Sequence, residues 1–288
     1  MALQSYVRLC RPPNVWTAFG DVAAGAAVAC GVWPSPGRFA PVLAASALLY
    51  ASGMAFNDVF DLERDRTLHP DRPLPSGAIR QGQAALMAVV LMASGVGLAF
   101  TGWWPGILAL FLAGTILLYD SALSHTVAGP VSMGMCRFAN VLLGASLAGP
   151  IEPVGYAAAG VVGVHTLAIS LAARRETRPA ARPALVAAWL PCVAAAGGLI
   201  VLAAVADGRP GPAAPFALAA VSWTGVRLIA ALRRGTTPAV VGLVKTAILA
   251  LPILDGGLVA AFYDWRWGVA VAALALPAWL MGRWFHMT

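Results

Sequence analysis

The sequence predicts an all-α polytopic membrane protein: a helical bundle of nine to ten transmembrane helices, forming one domain over residues 1–288. Three observations predict it. Of the 288 residues, 60% are apolar and 11% are charged, where soluble domains carry about 25% charged residues. The mean hydropathy is +0.78. The apolar residues fall in runs near the ~20-residue length that crosses a hydrocarbon core. Such a composition excludes a disordered chain, a coiled coil and a disulfide scaffold. It also excludes a large water-soluble enzyme, whose surface so few polar residues could not cover.

The runs lie near 14–33, 39–60, 83–103, 105–122, 129–149, 153–173, 184–206, 213–233, 239–262 and 266–285. Pro and Gly turns divide them, at Pro34-Ser35-Pro36-Gly37, Gly149-Pro150, Asp207-Gly208-Arg209-Pro210-Gly211 and Gly235-Thr236-Thr237-Pro238. The last run either spans the membrane or lies along it. The first has Arg8 and Arg11 before it and no convincing cleavage pattern after it, so it reads as a signal anchor. The longest polar stretch, about 61 to 82, is too short for a soluble domain.

The net charge is +7 and the pI about 9.8. These charges sit in short loops with no aromatics interleaved, which argues against a nucleic-acid partner. Their placement is topological. Arg8 and Arg11 precede the first run, Arg64, Arg66, Arg72 and Arg80 follow the second, and Arg174, Arg175, Arg178 and Arg182 follow the sixth. Arg233 and Arg234 follow the eighth, whereas the opposite loops hold only Arg38, Arg209 and Arg266. The bias places the N-terminus and the even-numbered loops in the cytoplasm, as in an inner-membrane protein. Trp103, Trp104, Trp265, Trp267 and Trp284 fall at run ends, as an aromatic belt does. Cys10, Cys30, Cys136 and Cys192 are far apart and match no metal or redox spacing.

Chemistry concentrates where the second run meets the cytoplasm, in Asn57-Asp58-Val59-Phe60-Asp61-Leu62-Glu63-Arg64-Asp65. Asn57, Asp61 and Asp65 are four apart, so on a helix they share one face. Like charges so placed repel unless a cation lies between them. Carboxylate oxygens favour hard cations, and Mg²⁺ takes one or two carboxylates with waters and substrate phosphates. The following His69-Pro70-Asp71-Arg72-Pro73-Leu74-Pro75-Ser76-Gly77 is a stiff loop carrying a guanidinium, the preferred bidentate partner of phosphate oxygens. A solvated, charged helix end would explain the acids, but not their spacing beside this loop.

Asn57 through Asp65, followed by Arg72-Pro73-Leu74-Pro75-Ser76-Gly77, resembles the first aspartate-rich motif of the UbiA superfamily of intramembrane prenyltransferases. Leu118-Tyr119-Asp120-Ser121, and Gly134 to Gly144 with Arg137 and Asn140, resemble its later helices. The likeness extends from Arg8 through the ninth run. It implies about nine helices around a lipid-open cavity, and Mg²⁺-assisted ionisation of a polyprenyl diphosphate followed by attack of an acceptor. Carried over by position, Asn57, Asp58, Asp61 and Asp65 would hold the metal and diphosphate, and Arg72 would contact phosphate. Arg137 and Asn140 would face the substrate. Metal and arginine would stabilise the leaving charge, and an apolar cavity would keep water from the allylic cation.

The family's second acidic motif has no full counterpart. That place reads Ser170-Leu171-Ala172-Ala173-Arg174-Arg175-Glu176-Thr177-Arg178, with Glu176 its one acid. Either Glu176 holds a second metal while Arg174 neutralises diphosphate, or the stretch is a basic cytoplasmic flank. Near the place of the family's lysine stand Ser124 and His125. The Ala173 to Glu176 run, Cys136 to Asn140 and the terminal Met287-Thr288 resemble the EboC-like branch, which implies a polar ring such as a cyclitol as acceptor. Glu176, Asp120 and Asp255 are candidate general bases.

Ionisable residues also fall inside apolar runs: Asp21, Arg137, Lys245 and Asp255. Buried in lipid such groups are costly and mark function or pairing. Lys245 and Asp255 are ten residues apart, roughly 15 Å along a helix, so they do not pair with each other. His165 reads as a packed polar residue. A carrier would use these charges at the midplane, whereas the acids here cluster at one membrane face. Terpene cyclisation and phosphoribosyl-type transfer remain as alternatives within the same chemistry.

Overall fold

The structure is a computed structural model and describes residues 2–31, 33–176 and 182–285. In chain order the helices are α1 (Ala2–Leu9), α2 (Pro12–Cys30), α3 (Pro36–Phe60), α4 (Leu62–Leu68), α5 (Gln81–Ala99) and α6 (Trp103–Leu118). There follow α7 (Gly129–Ala145), α8 (Pro153–Ala173), α9 (Arg182–Val205), α10 (Pro210–Arg234), α11 (Thr237–Phe262), α12 (Trp265–Ala272) and α13 (Ala275–Met281). Prolines open most of the long helices at their first two positions, where a missing N–H costs nothing. Left-handed glycines close α2 at Gly31 and α10 at Gly235.

Among the described residues eight helices are long and apolar enough to cross a membrane: α3 and α5 to α11, with α6 counted through Leu123 and α7 through Ala148. With the family identified below, they make this an integral membrane protein. α2, the first run expected to span, falls outside that set because Asn14, Thr17 and Asp21 dilute its apolar residues. It can be that polar because it is wrapped. It packs against α3, α7, α8, α11 and α13, and most of its residues are buried.

Small residues allow that central position. A Cβ on Gly25 would stand 2.0 Å from the Val141 carbonyl, and one on Gly144 would stand 2.1 Å from that of Val22. The α2 and α7 backbones therefore touch, which is how helices gain packing in a medium as apolar as their own side chains. α5 and α10 form the periphery, each with 28% of its apolar window buried, against 67% in α7 and 61% in α11.

The tenth run does not form one spanning helix. It breaks at Ala273 and Leu274 into α12 and α13, of 8 and 7 residues. α12 is pressed on α11 where Gly256 and Gly268 meet, each leaving no room for a Cβ on the other. Trp16 Nε1 donates to Met281 Sδ at 3.1 Å, tying α13 to α2.

Candidate active site

The acidic face forms as the spacing predicts. α3 ends at Phe60, but Asp61 N still donates to Asn57 O at 2.9 Å and Asp65 N to Asp61 O at 2.8 Å. The helical phase thus runs through the joint into α4, and Asn57, Asp61 and Asp65 line one cavity. This cavity, of about 580 Å³, is walled also by Arg64, His69, Arg72, Tyr119, Ser124, His125, Ser170, Arg174 and Glu176. It joins the ends of α3, α6 and α8.

Arginine and histidine side chains already stand beside these acids. Arg72 Nη1 donates to Asp65 Oδ2 at 2.5 Å. His125 Nε2 lies 2.6 Å from Asp61 Oδ1, and Arg64 Nη1 lies 2.7 Å from His125 Nδ1. Asp58 differs from the expectation that groups it with its neighbours. One position further round the helix, it is buried and accepts from Arg11 Nη2 at 2.8 Å, with Arg72 Nη1 at 3.8 Å. It does not line the cavity. Asp58 instead braces two arginines, one of them on the Arg72-Pro73 loop. Arg11, which sequence reasoning treated as a topological charge, takes part through a left-handed backbone (φ 44°) just before Pro12 and Pro13. Its Arg-Pro-Pro-Asn context was the available signal.

α6 does not stop at Leu118 but widens into a π-turn over Tyr119–Leu123, where Ser124 N donates to Tyr119 O at 2.8 Å. Such turns gather at functional sites. The turn places Asp120 against α3, where Asn57 Nδ2 donates to its Oδ1 at 3.2 Å. Asp120 Oδ2 and Glu176 Oε1 are buried and have no hydrogen-bond partner among the described residues. Burial pushes the Glu176 carboxyl up from its ordinary value, and the Lys245 charge partly offsets this. Burial, followed by the Arg72 charge, holds the His69 imidazole below its ordinary value against the pull of Asp65. Arg174 Nη2 donates to the carbonyls of Ser124, at 3.3 Å, and Thr126. Thr177 and Arg178 lie outside the described residues.

A second, apolar chamber lies deeper, between α3, α6 and α7. It is lined by Tyr50, Met54, Leu112, Ile116, Met133 and Cys136 among others, and Tyr119 borders both spaces. Its open volume is only about 60 Å³, so a prenyl tail would have to displace flexible side chains such as Met54 and Met133.

Arg137 and Asn140, expected on the substrate, lie at the floor of this chamber and are committed to α2. Arg137 donates to Asp21 Oδ2 at 2.8 Å and to Thr17 Oγ1 at 2.7 Å, and sits 5.2 Å over the Tyr50 ring. Asn140 donates to Asp21 Oδ2 at 2.8 Å and to Ala18 O at 3.0 Å, and accepts from Ser46. The reason is Asp21: a carboxylate buried mid-bundle needs donors, and α7 presents them. Asp255 is buried against Gly20, both oxygens without a partner among the described residues, and lies outside both spaces. Among the described residues His165 has no acid as a partner. Its Nε2 meets Ala247 O at 2.9 Å, as for a packed polar residue.

The sequence profile of the UbiA prenyltransferase family matches residues 18–233, most of the chain. The chain belongs to the UbiA prenyltransferase family. Its relatives include the digeranylgeranylglyceryl phosphate synthases of Methanoculleus marisnigri, 30% identical over 52% of this chain and 53% of that one, and of Thermococcus kodakarensis, 32% identical over 59% and 58%. The matched part spans little over half the length of these curated relatives. Among solved structures, a UbiA homologue from Archaeoglobus fulgidus bound to GPP and Mg²⁺ shares the fold, with a TM-score of 0.66 and 16% identity, covering 93% of this chain and 99% of that one. A structure of digeranylgeranylglyceryl phosphate synthase gives 0.66 at 18% identity, covering 91% and 98%.

The UbiA fold of this chain supplies donors suited to Mg²⁺. Among the described residues no three acidic, histidine or cysteine groups stand close enough to hold an ion by themselves. An Mg²⁺ ion held there would need water and substrate phosphates to complete its shell. Asp61 and Asp65 offer hard oxygens to a cavity roomy enough for a diphosphate, and Glu176 Oε1 on the same wall has no partner.

Proposed function

We propose that this UbiA protein transfers a prenyl group from a polyprenyl diphosphate to an acceptor within the membrane, with Mg²⁺. The observation that carries the reading is the juxtaposition of two spaces. A polar cavity holding Asn57, Asp61, Asp65 and Arg72 meets an apolar chamber at Tyr119. A diphosphate head and an isoprenoid tail need those two environments side by side.

In this reading Asn57, Asp61 and Asp65 present oxygens to the metal, and Asp58 holds Arg11 and Arg72 in place. Bound there, Mg²⁺ would neutralise charge on the departing diphosphate. Arg72, which donates to Asp65 Oδ2, would offer its remaining N–H groups to phosphate oxygens. The walls of the apolar chamber exclude water while positive charge lies on the allyl group. Asp120 and Glu176, each with a buried unpartnered oxygen, are the groups placed to accept the acceptor's proton.

The names of the relatives, digeranylgeranylglyceryl phosphate synthases, support an acceptor of the glyceryl phosphate type. The EboC-like resemblance of Ala173 to Glu176 supports a cyclitol-like ring. Both are polar and hydroxylated, and we assign the acceptor to that class. The arginine bias supports an inner-membrane location with the N-terminus and the site loops in the cytoplasm.

The test is pyrophosphate release by purified protein with geranyl, farnesyl and geranylgeranyl diphosphates, with and without a metabolite extract. Mg²⁺-dependent release that needs the extract supports transfer. Release without it points to cyclisation, and release with phosphoribosyl diphosphate alone points to sugar transfer. Asp61→Ala and Asp65→Ala should each lower the rate by about 10²–10³-fold, the usual cost of removing one group that stabilises developing charge. Undiminished release in both variants would remove the acidic face from the mechanism.

A further inference from the structure

The stretch that departs from the family's second acidic motif has a use of its own. We infer that Arg174 is a positioning residue: it clamps the segment between α6 and α7 and thereby holds His125 against Asp61. The inference rests on the reading of Asp61 as part of the diphosphate site, but the clamp itself does not.

Arg174 follows the last residue of α8 and reaches across to that segment. Its Nη2 donates to the Ser124 carbonyl at 3.3 Å and also to the Thr126 carbonyl. Those two carbonyls flank His125, whose Nε2 lies 2.6 Å from Asp61 Oδ1. The space for the guanidinium is made by Gly129. A Cβ there would stand 2.5 Å from Arg174 Nη2 and 2.7 Å from the carbonyls of Leu123 and Ser124. Helix α7 thus begins with a residue that leaves room for the arginine.

Apart from Arg174, the ties of this segment to other helices are the contacts of the His125 ring with Asp61 and Arg64. His125, Thr126 and Ala128 are exposed and Val127 is 93% exposed. Its own backbone bonds are local, Thr126 N to Leu123 O at 2.9 Å and Gly129 N to Thr126 O at 3.2 Å. Without an anchor, such a stretch regains the backbone freedom that ordering removes. A guanidinium suits the task because its planar donors meet neighbouring carbonyls in a fixed geometry, and an ammonium does not reproduce that. Nη2 is spent on the carbonyls of Ser124 and Thr126, so a contact of Arg174 with diphosphate would fall to its remaining N–H groups.

The test is a nitroxide spin label on Val127→Cys, in a full chain whose four native cysteines are Ala, reconstituted in lipid without ligand. Arg174→Ala should narrow the spectrum towards the mobile limit, and Arg174→Lys should fall between. Gly129→Ala, which displaces the guanidinium with Arg174 still present, should also narrow it. Misplacing His125 should lower kcat by up to about 10²-fold, with inhibition by pyrophosphate little changed. An unaltered spectrum in Arg174→Ala overturns the clamp. So does a loss of pyrophosphate inhibition with the label still immobile, because that marks a direct ligand. The spectrum reads the clamp even if no donor is turned over, so failure of the proposed function and failure of the clamp are separate results.

Discussion

Asn57 Nδ2 donates to Asp120 Oδ1 at 3.2 Å, joining the C-terminal end of α3 to the π-turn that ends α6. When Asp120 is ionised its carboxylate only accepts, and the bond then turns the Asn57 amide nitrogen towards it. Its nitrogen is spent on Asp120, and its oxygen is the atom left to the cavity. Outer residues that aim a metal ligand in this way typically matter about 10–100-fold to metal affinity. Asp120→Leu should weaken Mg²⁺ binding on that scale, read by the Mg²⁺ dependence of thermal unfolding. Asp120→Asn, which can still accept from Asn57, should retain it. If Asp120→Asn binds Mg²⁺ normally yet releases no pyrophosphate, Asp120 is the proton acceptor and not merely the support of Asn57.

Glycine contacts at the bundle's centre should govern stability. Gly144→Ala puts a methyl 2.1 Å from the Val22 carbonyl, where backbone and not a flexible side chain must yield. Overpacking of this kind costs about 1–3 kcal/mol. The variant should unfold earlier in detergent, whereas Gly114→Ala, with open space around it, should not. Equal melting of the two would show that α2 and α7 are less tightly apposed than described.

Glu176 gives a pH signature. Its carboxyl is raised by burial in the folded chain, so folding favours the protonated form. The resulting stability is fully present below the ordinary glutamate range and is lost as pH rises through the folded value. Detergent-solubilised protein should therefore gain stability at this site as the solution is acidified from neutrality. Glu176→Gln should remove that increment and leave a flatter profile. A Glu176→Gln profile that tracks the parent would place the acid in solvent.

Topology is open to a labelling experiment. Ser76 is exposed in the loop after α4. In a chain without native cysteines, Ser76→Cys should react with an impermeant maleimide in inside-out vesicles and remain unreactive in intact cells. Labelling only from outside would reverse the orientation drawn from the arginines.

The helices and the acidic face were legible because each depends on local pattern. Apolar runs of spanning length, Pro and Gly punctuation, and a four-and-four spacing specify themselves over a few turns. Partners across the bundle were not legible. Asp58 and Asp61 are three apart in sequence, yet one meets Arg11 and the other His125, because helical phase turns them towards different neighbours. The resemblance set Arg137 and Asn140 against the substrate, and the sequence left Asp21 between function and pairing, for one reason. Each was seen without the other.

By itself the sequence determined the class, the ends of most helices, and the shared helical face of Asn57, Asp61 and Asp65. Tertiary structure decided that α2 lies inside the bundle, that the tenth run breaks in two, and that α6 prolongs itself in a π-turn which aims Asn57. It also decided that Arg174 reaches backbone carbonyls of the next segment. The division has one physical cause. Helix formation and membrane insertion respond to neighbours along the chain, whereas buried charges are satisfied by whichever helix packing brings within about 3 Å, and no local pattern names that helix.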